Sequence, residues 1–166
     1  IYREDGYFLV DVQVTQTGKN VDVKIHEGRI SKIEVSGASP DLAQVIHNYV
    51  QTALGQGPIT LEQFERGIML AKDLAGVALT TEFVSSQGSG DDVLKIAVKT
   101  VKQRGSLSLD NLPRNFGKGI YAVLSEEVYS NITPGDLFRV NVLPSADFNN
   151  NWSGVFGSLT YRAPIG

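Results

Sequence analysis

The chain contains no cysteine. Disulfides, thiol nucleophiles and sulfur-ligated metal sites are therefore excluded. It also lacks any run approaching the ~20 apolar residues that a membrane-spanning helix needs. A membrane β-strand escapes that test, because about 10 alternating residues suffice for it. Charge of one sign is scarce: the formal net charge is -3 over 166 residues, with no Lys/Arg run and no aromatic-basic stripe. No field attracts nucleic acid or anionic headgroups, so nucleic acid is not an expected partner. The chain opens at Ile1 with neither an initiator Met nor a signal-peptide pattern, and reads as a segment of something longer.

What is present divides at about residue 102. Tyr2 to Tyr7 reads as the end of a helix with Gly6 as its stop. A strand follows from Phe8 to Gln16, with Val10, Val12 and Val14 on one face. Gly18-Lys19-Asn20 turns the chain, and Val21, Val23 and Ile25 alternate with polar residues, which predicts a β-hairpin. A lone hairpin is marginal in water, so this one is expected to belong to a domain whose earlier half is missing. Arg29 to Ser36 is a further strand, with Ile33 and Val35 on one side, broken by Gly37 to Pro40.

Pro40 and Asp41 suit a first helical turn. Leu42, Val45, Ile46, Tyr49, Val50 and Ala53 then recur at helical spacing up to Gly55. Thr60 and Gln63 form a capping-box pattern. The second helix carries Leu61, Phe64, Ile68, Ala71 and Leu74 as its stripe, with Gly76 as the stop. Val77 to Ser85 is a strand with Val77, Leu79, Thr81 and Phe83 on one face. Gln87 to Gly90 is a turn, and Val93 to Val101 is a strand with Leu94, Ile96 and Val98 inward. The order strand, helix, helix, strand, strand predicts a two-layer α+β unit with Val93 to Val98 central and Val77 to Ser85 at the edge.

Past Lys102 helical periodicity ends. Short alternating strands are expected at Arg104–Leu109, Gly119–Tyr129, Leu137–Leu143 and Trp152–Ala163, separated by Gly, Asn and Pro turns. Phe138, Val140 and Val142 oppose Leu137, Arg139 and Asn141; Val155, Leu159 and Tyr161 oppose Ser158, Thr160 and Arg162. Apolar on one face and polar on the other is what a membrane barrel requires. Soluble sandwiches and barrels alternate as well, so periodicity alone leaves both open.

Tyr2-Arg3-Glu4-Asp5-Gly6-Tyr7, the valine-rich strand and His26-Glu27-Gly28-Arg29-Ile30 resemble a pattern in two-partner secretion transporters, the outer-membrane haemolysin/haemagglutinin secretion proteins. There a "YR-x-x-GY" segment, two strands and an "EG-x-I" junction close one POTRA domain and open the next. Val35-Ser36-Gly37 resembles the "V-x-G" that ends the first POTRA strand. Leu70 to Gly76 resembles "L-x-x-LPG", with Ala75 in place of Pro. Asp110-Asn111 with Gly117-Lys118-Gly119 resembles the "DN…G" turn after the first barrel strand, lengthened by Leu112 to Asn115. Pro134-Gly135-Asp136 and Tyr161 to Pro164 resemble later "GD" and "Y-x-x-P" motifs. The resemblance covers nearly the whole chain and rests on the order of the motifs. It implies residues 1–28 as the end of one POTRA domain, 29–102 as a complete one, and 103–166 as the first antiparallel strands of a transmembrane β-barrel. The conserved Arg-Gly loop motif of that family has no counterpart here.

No catalytic constellation is visible, and no enzyme activity, metal or cofactor is expected. His26 and His47 lack partners at ligand spacing. Asp91-Asp92 and Glu126-Glu127 are adjacent on strands, so their side chains point to opposite faces. Gly88-Ser89-Gly90 precedes no helix and reads as a hairpin turn rather than a phosphate loop. Asn131-Ile132-Thr133 and Asn151-Trp152-Ser153 match the glycosylation pattern, as an Asn-rich chain does by chance.

Recognition by backbone remains. The edge strand Val77, Ala78, Leu79, Thr80, Thr81, Glu82, Phe83, Val84 and Ser85 can accept an added strand, and no Pro interrupts it. Thr80 and Glu82 are expected to carry outward N–H groups. The plain alternative is an edge that is merely protected. Phe138, Val140, Val142, Val155, Leu159 and Tyr161 are the expected lipid-facing residues. The resemblance implies a large secreted adhesin or haemolysin-type exoprotein and outer-membrane lipid as partners, with the POTRA part in the periplasm. An outer-membrane protein insertase and a soluble all-β adhesin or lectin fragment are the competing readings.

Overall fold

A computed structural model describes residues 2, 4–85, 91–111, 119–148 and 154–165. The chain forms two compact units, one of Ile1–Asp73 with Val77–Thr100, the other of Leu74–Gly76 with Val101–Gly166.

The first unit opens with a turn where the sequence predicts a helix end. The Tyr7 N–H donates to the Tyr2 carbonyl at 2.9 Å across Gly6 at φ +86°, the closure that normally terminates a helix. Phe8 then lies outside any strand. β1 (Val10–Thr17) and β2 (Asn20–Glu27) form a two-stranded antiparallel hairpin. Gly18, at φ +63°, takes the first central turn position, which needs a positive φ. Val12 pairs with Ile25 and Val14 with Val23, so the valine stripes share one face, and that face is exposed.

β3 (Arg29–Ser36) leads into α1 (Pro40–Leu54), which Pro40 starts and Gly55 stops. Gly37 ends β3 for two reasons: its φ is +82°, and a Cβ there would sit 2.2 Å from the Val98 carbonyl. α1 buries Leu42, Ile46, Val50 and Leu54. α2 (Leu61–Lys72) begins with the complete capping box: the Thr60 hydroxyl accepts from the Gln63 N–H at 3.3 Å, and Gln63 Oε1 accepts from the Thr60 N–H at 3.0 Å. The expected apolar stripe needs two corrections. Leu61, in the first turn of α2, is 45% exposed. Gly67 is buried instead, where a Cβ would meet Ala53 at 3.1 Å and the Val50 backbone at 3.2 Å, so the two helices cross closely at this point. Nor does Gly76 stop the helix: α2 ends at Lys72, with Asp73 as its cap.

β4 (Val77–Ser85) and β5 (Asp91–Thr100) complete a sheet of order β3-β5-β4, with β3 parallel and β4 antiparallel to the central strand. Leu94, Ile96 and Val98 of β5 are buried, as expected of the most apolar strand at the centre. Two helices therefore cover one face of a three-stranded sheet in the order strand, helix, helix, strand, strand, a mixed α+β fold.

The second unit is an antiparallel meander of four strands: β6 (Gln103–Asn111), β7 (Gly119–Tyr129), β8 (Leu137–Asp147) and β9 (Gly154–Arg162). The strands run past the limits expected from periodicity at both ends of β6 and at the end of β8, because hydrogen-bonded register outlasts strict hydrophobic alternation. Among the described residues β6 and β9 are free edges. The expected turn over Gln87–Gly90, the Leu112–Lys118 segment and the Asn151-Trp152-Ser153 motif lie outside the described residues.

Candidate functional site

The first candidate is the edge strand β4. β5 occupies its inner side, and α2 packs on it. Which N–H groups face outward follows from the ladder phase. The Val101 N–H donates to the Gly76 carbonyl at 2.9 Å, and this pair continues the Val77↔Thr100 register by one step. In an antiparallel ladder, hydrogen-bonded and non-bonded pairs alternate. The bonded pairs are therefore Ala78↔Lys99, Thr80↔Ala97, Glu82↔Lys95 and Val84↔Val93. Thr80 and Glu82 direct their N–H groups at β5, contrary to the expectation from sequence. The outward groups belong to Val77, Leu79, Thr81, Phe83 and Ser85. Period 2 was legible in the sequence; its phase was not.

Leu79 and Phe83 turn their side chains to the helix side, where Phe83 meets Phe64 of α2 at 5.0 Å between ring centroids. The edge so combines main-chain donors and acceptors with an aromatic flank. It can take an extended chain as an added strand, the arrangement that gives affinity through backbone and selectivity through alternate side chains.

The second candidate is the β6–β9 sheet. Register aligns its residues in rows. Leu107, Leu124, Val142 and Gly157 form one row; Gly105, Glu126, Val140 and Leu159 the next; Gln103, Val128, Phe138 and Tyr161 the one after. Val155 lies opposite Pro144 on the same face. All six side chains expected to face lipid thus share one face with Leu107, Leu109 and Leu124. That face is open: Leu109 is 70% and Leu159 72% exposed.

The opposite face carries two polar rows, followed by Val123 beside Ser108 and Leu143 beside Phe156. Arg104, Glu127, Arg139 and Thr160 make one row, and Ser106, Ser125, Asn141 and Ser158 the next. The Arg139 Nε donates to Glu127 at 2.6 Å, Tyr129 donates its hydroxyl to the same carboxylate, and Asn141 donates to Ser158 at 3.0 Å. Glu126 and Glu127 stand on opposite faces, as adjacent strand residues must. Glu126 is the charged residue in the apolar face's rows, its carboxylate lying over Gly105, where a Cβ would come within 2.9 Å.

Asp136 is the functional-looking residue that pattern reading missed. It is fully buried in the turn between β7 and β8. Its carboxylate accepts from the N–H groups of Asn131 (2.9 Å), Ile132 (3.0 Å) and Thr133 (2.8 Å), and from the Tyr161 hydroxyl at 3.2 Å. Burial pushes this carboxyl up, but the backbone donors and Tyr161 outweigh it and hold it below the ordinary carboxylate value. The backbone of the Asn131-Ile132-Thr133 motif is thus committed to a structural carboxylate cage. Its only sequence signal was the Gly135-Asp136 pair.

Among the described residues, no group of three or more His, Cys, Asp or Glu could hold a metal ion, and the His47 Nδ1 is buried without a hydrogen-bond partner.

No protein-family model matches the sequence, and no curated protein matches it. Solved structures do. CdiB from Acinetobacter baumannii superposes over 99% of this chain and 31% of its own, at TM-score 0.63 and 17% identity. CdiB from Escherichia coli superposes over 95% of this chain and 30% of its own, at TM-score 0.65 and 20% identity. The chain spans about a third of either CdiB and shares, over that span, the fold of these proteins.

Proposed function

We propose that this chain is part of a bacterial outer-membrane protein transporter of the two-partner secretion type. Residues 29–102 act as a periplasmic POTRA domain that binds an unfolded exoprotein by strand addition at β4. Residues 103–166 are the first strands of the barrel through which that exoprotein leaves. The observation that carries the reading is the two-faced β6–β9 sheet. A contiguous face of Leu107, Leu109, Leu124, Val142, Val155 and Leu159 is open to its surroundings, which soluble folds avoid on this scale. β7 and β8 have 11 residues each, the length that a tilted membrane strand needs. The polar rows behind them suit a water-filled lumen. The fold likeness to CdiB and the motif order in the sequence support the same reading independently. Capture is then weak and reversible, since it rests on many small main-chain contributions.

Adjacent positions of opposite face test the membrane part; these 166 residues contain no cysteine, and any cysteine elsewhere in the whole protein is first replaced by Ser. In membranes containing the whole protein, Val142→Cys should resist a membrane-impermeant thiol reagent until detergent is added. Asn141→Cys, one residue away, should be labelled from the aqueous side. Equal labelling of both in intact membranes would overturn the barrel reading and favour a soluble sheet.

A further inference from the structure

The aromatic cluster between α2 and β4 holds a ring that neither element supplies. Besides Phe64 and Phe83 it contains Phe8, from the segment before β1, at 5.7 Å from Phe64 and 5.5 Å from Phe83. Main chain delivers that segment: the Leu61 N–H donates to the Gly6 carbonyl at 2.9 Å, and Tyr7 forms an isolated antiparallel bridge with Thr60. Phe8 thereby packs against a ring of α2 and a ring of β4 at once.

We infer that Phe8 is a resident occupant that an incoming strand displaces. The partner is an extended segment with an aromatic side chain that takes Phe8's place between Phe64 and Phe83 while its backbone pairs with β4. This rests on the docking reading of β4 and specifies its partner. Three observations carry it. Phe83 is both a member of the cluster and a residue with an outward N–H, so backbone pairing and the socket meet at one position. Phe8 belongs to no strand, and its short segment is held by the Tyr7–Thr60 bridge, of which the Leu61–Gly6 bond is part, and by the Gly28 N–H on the Leu9 carbonyl. All three rings are only half-buried, so the socket is not sealed around Phe8. Exchanging one ring for another of like kind conserves the aromatic contacts, which makes displacement nearly balanced and binding reversible. Phe8 also adjoins Leu9, whose carbonyl accepts from the Gly28 N–H at 2.8 Å, so its release would loosen the base of the β1–β2 hairpin.

The probe is a fluorescein-labelled peptide of nine residues, alternating Thr and Val with a central Phe. A second peptide carries Ala at that centre. Anisotropy titrations use the full chain in detergent. If Phe8 fills the socket about nine-tenths of the time, emptying it with Phe8→Ala tightens binding of the Phe peptide about tenfold and leaves the Ala peptide unchanged. A second variant pairs Tyr7→Cys with Thr60→Cys at the bridge, where directly opposed residues suit a disulfide. Oxidised, it holds Phe8 in place and should lose the Phe peptide; reduced, the same protein should regain it, which controls for any damage to the fold. Equal affinity of the Phe peptide for parent, Phe8→Ala and both redox states would overturn the displacement while leaving docking at β4 intact. Failure of either peptide to bind any form would overturn docking at β4 itself, and this inference with it.

Discussion

At the scale of single residues, Asp136 does more than its place in a surface turn announces. Four donors converge on a buried carboxylate, and the loop from Ser130 to Asp136 closes around it, with Ser130 itself at φ +53°. The consequence for pH has a definite sign. A carboxyl whose folded pKa lies below its unfolded one stabilises the fold fully above the unfolded value, about 4. That contribution fades as pH falls toward the depressed folded value. Asp136→Asn should remove the acid-side dependence and cost roughly 1.5–3 kcal/mol at neutral pH, the scale of a charged hydrogen-bonding group lost. Unfolding of the protein in detergent at pH 7 and below pH 4 measures both. An Asn variant with the parent's acid sensitivity would assign that sensitivity to another group.

The elements show where local chemistry suffices and where it does not. α2 is nucleated by a cap that sequence alone specifies, so Thr60→Ala should cost about 0.5–2 kcal/mol in urea unfolding. β4 is different, since every residue in it offers one N–H and only the ladder decides which way it points. Thr81→Pro removes an outward donor and leaves the β5 ladder whole, whereas Thr80→Pro removes a bond to β5. If β4 is the docking edge, Thr81→Pro should weaken binding of an extended exoprotein segment more than Thr81→Ala does, with cooperative unfolding retained. Thr80→Pro should instead lower stability itself. Parent-like affinity of a folded Thr81→Pro protein would move docking to β3 or to a helix face.

For the whole molecule the decisive property is a sheet with one largely apolar face and two polar rows on the other. Val142 is the sixth of 11 residues in β8 and lies opposite Leu124, with no acidic neighbour in its row. Val142→Arg should therefore cost about 2–4 kcal/mol of stability if residues 103–166 belong to a membrane barrel and that row crosses the bilayer midplane. Val140→Arg should cost less, because Glu126 stands directly opposite and can pair with the guanidinium. Comparing the heat-modifiability of the two variants on gels gives the order. Equal tolerance of both would argue that this face meets water or protein rather than lipid.

Much of this architecture is written locally. Pro40, the Thr60–Gln63 box and Gly55 set helix limits through backbone chemistry that neighbours in sequence supply. Alternation in Leu137–Leu143 separates Phe138, Val140 and Val142 from Arg139 and Asn141 because a pleated strand has period 2. The α+β order and the meander after residue 102 follow from those patterns. Tertiary structure decided what pattern cannot encode. It put Gly67 at the helix crossing, a matter of space between two helices. It chose which N–H groups of β4 face out, a matter of ladder phase. It drew Phe8 out of the predicted strand and into the cluster with Phe64 and Phe83. It gathered Asn131, Ile132, Thr133 and Tyr161 on Asp136, because a buried carboxylate persists only where the folded chain brings donors to it.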